Sequence, residues 1–146
     1  MHTFTQIVLG SGLLMVSIVA QAAIFIVVYN QLRARHPDGH PEAPRSKLMV
    51  LIWALAGILF AHTLHVWALA FALVAIDALP HLSEALYFSL STYTTVGYGD
   101  IVLDPGVRTF GAFGAVTGLL AFGLSTAFLA GLVSRLLPHW DGGGHI

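Results

Sequence analysis

The chain has 146 residues, 57% of them hydrophobic and only 9% charged, with a formal net charge of −1 and no cysteine. Nothing in that balance suggests a nucleic-acid partner, and the missing cysteines exclude disulfides and thiolate metal sites without identifying a compartment. The length suits one domain of a few membrane spans, at about 20 apolar residues each, with no appended soluble ligand domain and no internal repeat.

The first apolar run is Phe4 to Tyr29, with Thr5, Gln6, Ser11, Ser17 and Gln21 as its polar members. A signal peptide carries positive charge before its apolar run. Here Met1-His2-Thr3 lacks it and the basic residues follow at Arg33 and Arg35, so residues 1–32 read as a retained transmembrane helix. Asn30 to Lys47 is polar, and Pro37, Gly39, Pro41 and Pro44 read as helix breakers. Arg33, Arg35, Arg45 and Lys47 are four of the six basic residues. The positive-inside rule puts the 33–47 loop in the cytoplasm and the N-terminus outside. A site for anionic lipid or a ligand is the competing reading of that cluster, although topology alone explains it.

Leu48 to Ile76 is the second span. At 1.5 Å per residue it is about 43 Å long against a hydrocarbon core of about 30 Å, so it tilts or extends past the interface. Trp53 and Trp67 are either interfacial anchors or packing residues. Asp77 to Leu82 is an outer turn, and Pro80 punctuates it. Ser83 or a neighbour is a candidate cap for a short helix running to Tyr93, with Glu84 suited to its positive end. That helix is too short to span and reads as re-entrant, dipping in from outside with its C-terminal dipole end pointing inward, which favours a cation there.

Thr94-Thr95-Val96-Gly97-Tyr98-Gly99-Asp100 follows. Irregular backbone at membrane depth survives only inside protein or beside water, and one use for it is to aim carbonyls at a dehydrating cation. Successive carbonyls turn the same way when left- and right-handed residues alternate, and Gly97 and Gly99 take φ > 0 at no Cβ cost. Val96 and Tyr98 are then expected to point back into protein, and Thr95 to add a hydroxyl oxygen at the inner end. Asp104-Pro105-Gly106 turns the chain back. Val107 to about Leu137 is the third span, rich in small residues, with a Gly114–Gly118 pair that suits close helix approach. Arg135 marks its cytoplasmic end. Pro138 stops it, and 138–146 reads as a short disordered cytoplasmic tail. The stretch from Asp77 to Arg108 holds Asp77, Glu84, Asp100 and Asp104 against Arg108 alone, a charge pattern that concentrates cations at a pore mouth.

The string Thr94 to Asp100 resembles the potassium-channel selectivity filter at every position. Residues 48–137 are similar to the outer helix, pore helix, filter and inner helix of two-helix pore-loop potassium channels, here with an extra N-terminal helix. The resemblance implies an all-α membrane protein of three transmembrane helices plus a re-entrant pore helix and selectivity filter. It also implies a homotetramer in the cell membrane, with lipid as its surroundings and no nucleic-acid partner. The implied activity is passive potassium conduction, not enzymatic, with K+ as the permeant ion and no organic cofactor. Thr95, Val96, Gly97, Tyr98 and Gly99 are the implied ion-binding residues, with K+ at Thr95, Val96, Gly97 and Tyr98. Thr94, Asp100, Tyr87 and Ser91 are the implied supports. Ser91 stands where some prokaryotic members carry a glutamate. Tyr87-Phe88 matches the family's aromatic pair, so Tyr87 is the candidate partner of Asp100, with plain aromatic packing as the other reading. In the same register Gly118, Leu119, Phe122, Thr126, Ala127 and Ala130 line the cavity and Ser134 lies near the lower constriction. For Gly118 a gating hinge and simple close packing stand side by side. The first span lacks the regularly spaced arginines of a voltage sensor. A weakly selective cation channel and a non-conducting scaffold subunit are the alternative functions.

His62 and His65 lie near the middle of the second span, at i and i+3, on one face. An ionisable residue at that depth is a functional hypothesis by default. Three readings stand: neutral histidines bonded to polar neighbours such as Gln21, a pH sensor, and a metal or haem ligand pair. A metal site needs further ligands, and two residues on one face cannot clasp a haem from both sides. The extra helix is expected to pack peripherally, against the second span of its own chain or of a neighbour.

Overall fold

The computed structural model describes residues 1–35 and 44–136. The expectations for Pro37, Gly39 and Pro41 and for the 138–146 tail lie outside the described residues. Four helices are present: α1 (Thr3–Arg35), α2 (Pro44–Ala75), α3 (Leu82–Tyr93) and α4 (Arg108–Leu136). Three of them, α1, α2 and α4, are long and apolar enough to cross a membrane. In the single chain many large apolar side chains on them stay open, among them Phe4, Met15, Val19, Leu59 and Phe60. Apolar surface that lipid covers needs no protein core beneath it.

Two boundaries differ from the sequence expectation. Helix α1 runs past Tyr29 to Arg35, because Gln31, Leu32, Arg33 and Ala34 are good helix formers and Leu32 packs into a cluster with Val50 and Leu136. Pro44 opens α2 rather than breaking a helix. At the first helical position its missing N–H is one that has no intrahelical partner anyway.

Helix α2 ends in a hydrogen-bonded cap. Ala78 N–H donates to Leu73 O at 2.9 Å and Asp77 N–H to Val74 O at 3.0 Å, with Asp77 in the left-handed region at φ 56°. This 6→1 and 5→2 pairing satisfies the orphan carbonyls of the last turn. His81 is the N-cap of α3, with no side-chain cap bond, so Ser83 lies inside the helix rather than at its start; Glu84 does occupy the first turn.

The third loop, between α3 and α4, brings the chain back to the end of the bundle where α3 began. Leu69, Ala70, Leu73, Leu79, Ala85, Leu103 and Phe110 form one core at that end, joining α2, α3, α4 and the loops between them. The far end of α3 reaches mid-height of the long helices, where Tyr93 meets His62 and His65 of α2 and its carbonyl abuts Gly118 of α4. So α3 dips halfway into the bundle and the following segment climbs out.

Helix α1 packs on α4 as well as on α2, where the sequence pointed to the second span alone. Its buried positions Gln6, Gly10, Ser17, Gln21, Phe25 and Leu32 form one stripe. Gly10 lies against the Phe113 ring, Phe25 stacks on Phe128 at 4.4 Å between centroids, and Gly57 of α2 receives Val28. The stripe holds Gln6, Ser17 and Gln21, three of the five polar side chains between Phe4 and Tyr29. Gln6 is 2% exposed, and its Oε1 accepts from Thr109 N–H at 3.0 Å and Phe110 N–H at 3.4 Å. Those are orphan donors at the start of α4, so a side chain from α1 caps α4. Polar groups have nowhere else to go in hydrocarbon, which is why α1 turns this face inward.

Candidate functional site

The segment after α3 alternates in backbone hand. Thr95, Gly97 and Gly99 have φ of 61°, 55° and 79°, and Val96 and Tyr98 between them do not. The glycines take this conformation freely. Thr95 does not: a β-branched residue at positive φ is a strained outlier, and strain of about 1–3 kcal/mol gathers at functional positions. Local hydrogen bonds hold it there. Thr95 N–H donates to Thr92 O at 2.9 Å, Gly97 N–H to Ser91 O at 3.1 Å, and Thr94 N–H to Leu90 O at 3.1 Å. The last carbonyls of α3 are thus tied to the first residues of the segment. Ser91 contributes through its carbonyl, while its hydroxyl donates to Phe88 O. Thr94 Oγ1 donates back to Leu90 O at 2.8 Å.

At its other end the segment is held by side chains. Tyr87 O–H donates to Asp100 Oδ2 at 2.6 Å, Ile101 N–H donates to Asp100 Oδ1 at 3.1 Å, and the Tyr87 and Tyr98 rings stack with an interplanar angle of 11°. The Tyr87 hydrogen bond holds the Asp100 carboxyl below the usual carboxylate range. A depressed carboxyl contributes its contact above the ordinary carboxylate pKa and loses it as pH falls through the lowered value. Tyr87→Phe is therefore expected to raise the Asp100 pKa toward the ordinary value and to shift any acid-driven loss of function to higher pH, as a pH titration of ion flux will read. An unchanged titration would detach Asp100 from Tyr87.

From Thr94 to Asp100 every side chain is exposed in the single chain, Val96 at 54% and Tyr98 at 71%. The chain by itself does not cover them. The residues assigned to a cavity behave alike. Leu119, Phe122, Thr126, Ala127, Ala130 and Ser134 are all exposed and recur along one side of α4.

Gly118, by contrast, is buried, and a Cβ built on it collides with the carbonyl oxygen of Tyr93. Its immediate role is contact between α4 and the end of α3.

His62 and His65 are not bonded to Gln21. They converge on Tyr93, whose hydroxyl lies 2.6 Å from His62 Nδ1 and 3.0 Å from His65 Nδ1. His65, 3% exposed, also donates from Nε2 to Ser17 O of α1 at 2.9 Å. His62 Nε2 is 3.0 Å from Ser125 Oγ, and Gln21 Nε2 donates to Ser125 Oγ at 3.0 Å and to Ala121 O at 2.9 Å. The sequence pointed to Ser17 only as a polar member of the first span and to Tyr93 only as a helix end, and it did not point to Ser125. The available signal was Ser125 as a hydroxyl inside an apolar span and Tyr93 directly before the string. Among the described residues no three His, Asp or Glu side chains gather into a metal-binding cluster.

Three spanning helices, a half-depth helix between the second and third, and a backbone of alternating hand returning from its tip define a pore-loop membrane protein. Residues 61–135, about half of the chain, match the family described as "Ion channel", whose members are built on two transmembrane helices and a pore loop and include potassium channels. The chain belongs to this family. Neither curated proteins nor solved structures give a significant match.

Proposed function

We propose that the protein is a potassium-selective channel in which four copies of the chain surround one axis. The observation that carries this reading is the alternation of positive φ at Thr95, Gly97 and Gly99 within Thr94–Asp100. Rings of backbone carbonyls are how potassium filters replace an ion's hydration shell. One chain supplies one strand of such a ring, so Thr95, Val96, Gly97 and Tyr98 of four chains would hold K+ as it passes. The same assembly accounts for the uncovered side chains of Val96 and Tyr98 and for the bare stripe from Leu119 to Ser134, which would face a central cavity.

Charge supports an orientation. Asp77, Glu84, Asp100 and Asp104 belong to the filter end, and Arg33, Arg45, Lys47 and Arg135 to the opposite ends of the three long helices. The positive-inside rule then sets the filter toward the outside, with the N-terminus outside and the 33–47 loop in the cytoplasm. Acidic groups at the outer mouth draw cations toward it.

The test is flux in liposomes that carry the purified protein. Potassium and rubidium are expected to pass at least about a hundredfold faster than sodium, which corresponds to about 2.7 kcal/mol of discrimination. Equal potassium and sodium flux would move the protein to the weakly selective cation channels, and no flux of either would leave a scaffold subunit. Mass measurement of the assembled protein is expected to give four chains, and a dimer would contradict the ring.

A further inference from the structure

The hydrogen bonds around Tyr93 form one continuous chain through all four helices: Gln21, Ser125, His62, Tyr93, His65 and the Ser17 carbonyl. The carbonyls at its two ends set every proton in it. Ser17 O can only accept, so His65 carries its proton on Nε2. A neutral His65 then has a bare Nδ1, and Tyr93 O–H must donate to it. Tyr93 has one proton, so His62 must donate to the Tyr93 oxygen from Nδ1. His62 Nε2 is therefore bare and accepts from Ser125 O–H. Ser125 Oγ accepts from Gln21, which is fixed in its orientation because its other N–H donates to Ala121 O. Gln21 Oε1 is buried without a hydrogen-bond partner among the described residues, so donation alone orients this side chain.

With both rings neutral, no other arrangement satisfies all the contacts. The two histidines are held in opposite tautomers. The chain also has a limited capacity. One more proton fits at His62 Nε2 if the Ser125 hydroxyl turns toward its own helix, where the Ala121 carbonyl lies one turn back. A second proton, on His65 Nδ1, would leave the Tyr93 oxygen facing two N–H groups with its own proton unplaced. Access differs in the same sense. His62 lines an open pocket of about 250 Å³ beside Thr94 and Phe122, whereas the cavity beside His65 is about 10 Å³. The ionisable groups facing the chain are His62 and His65 from α2 and Tyr93 from α3. Ser17 and Gln21 of α1 and Ser125 and Phe122 of α4 add no charge.

We propose that His62, Tyr93 and His65 form a one-proton latch that clamps the residue just before the filter segment and takes up one proton per chain, at His62 Nε2. Tyr93 is pinned at both of its polar ends, its hydroxyl by the two rings and its carbonyl by the close approach of Gly118. A proton on His62 reverses the Ser125 contact and puts a charge beside the clamp. The role of the latch in conduction rests on the channel reading above, but its proton arrangement does not.

The experiment is ¹⁵N NMR of the histidine rings in the purified full-length protein in lipid nanodiscs. Assignment uses His62→Gln and His65→Gln. Near neutral pH the His62 ring is expected as the Nδ1–H tautomer and the His65 ring as Nε2–H. Between about pH 8 and about pH 5, the range over which histidines ordinarily titrate, only His62 is expected to become doubly protonated. Equal tautomers at the two rings, or double protonation of both in the folded protein, would overturn the latch. Neither outcome depends on conduction, so a latch without flux would fault the channel reading alone. Tyr93→Phe keeps the ring and removes the hydroxyl. In this variant His62 is expected to lose its tautomer preference while the Ser17 carbonyl keeps His65 as Nε2–H, and the potassium-over-sodium ratio is expected to fall about tenfold, the scale of one buried hydrogen bond. A Tyr93→Phe protein with the parent's tautomers and selectivity would show that the hydroxyl clamps nothing, and if this variant does not fold, the parent spectrum still decides.

Discussion

Gly118→Ala is expected to abolish selective potassium flux and to lower the thermal stability of the purified protein. The added methyl would occupy the place of the Tyr93 carbonyl oxygen and lie 2.8 Å from its carbon and 3.3 Å from its Cα. These are backbone atoms, so no side chain can swing aside to make room. Overpacking of this kind costs typically about 1–3 kcal/mol, and relief requires α3 to withdraw from α4. That movement carries the Thr94–Asp100 segment with it, because the N–H groups of Thr94, Thr95 and Gly97 bond to carbonyls of Leu90, Thr92 and Ser91. A loss of roughly a hundredfold in flux corresponds to about 2.7 kcal/mol, within the range of the clash. Gly123→Ala is the matched control, since a Cβ there meets nothing within 4 Å; it is expected to behave as the parent does. The hinge reading of Gly118 makes the opposite forecast: a stable Gly118→Ala protein with the parent's selectivity and altered opening. That result in liposome flux and thermal melting would set the packing argument aside.

Gly97→Ala is expected to stop conduction for a different reason and to leave the folded protein intact. A Cβ at Gly97 meets no atom of its own chain within 4 Å, so nothing is overpacked. The cost lies in the backbone, at φ 55°. A non-glycine residue in the left-handed region costs roughly 1–2 kcal/mol, and in the proposed ring of four chains every copy would bear it at the same level. The easy relief is for Gly97 to leave positive φ, which turns its neighbouring carbonyl out of line. Thr95 already carries a side chain at φ 61°, held by its bond to Thr92 O, so the segment has little tolerance left for a second strained residue. The measurement pairs potassium flux with thermal melting. Flux is expected to vanish while the melting temperature stays near the parent's, and normal potassium flux from Gly97→Ala would remove the backbone argument for selectivity.

These two glycines show how the sequence and the folded chain divide the work. Gly97 was legible in the sequence, because positive φ is a local property and a Gly-x-Gly inside a membrane chain has few other uses. So were the three spanning helices and the short helix between them, since the length and apolar content of a segment set whether it crosses a bilayer. Gly118 was legible only as a small residue in a span. That its missing side chain makes room for the Tyr93 carbonyl depends on how far α3 reaches into the bundle, which no local pattern encodes. The polar residues of the spans divide in the same way. Composition shows that Gln6, Gln21, His62 and His65 each need a partner, because an unsatisfied polar group in hydrocarbon costs several kcal/mol. It does not show which partner. Gln21 bonds to Ser125, 104 residues away, His65 to Ser17, 48 residues away, and Gln6 to the first N–H groups of α4. Those pairings follow from α1 lying across α4 as well as α2, and only the packing of whole helices could decide them.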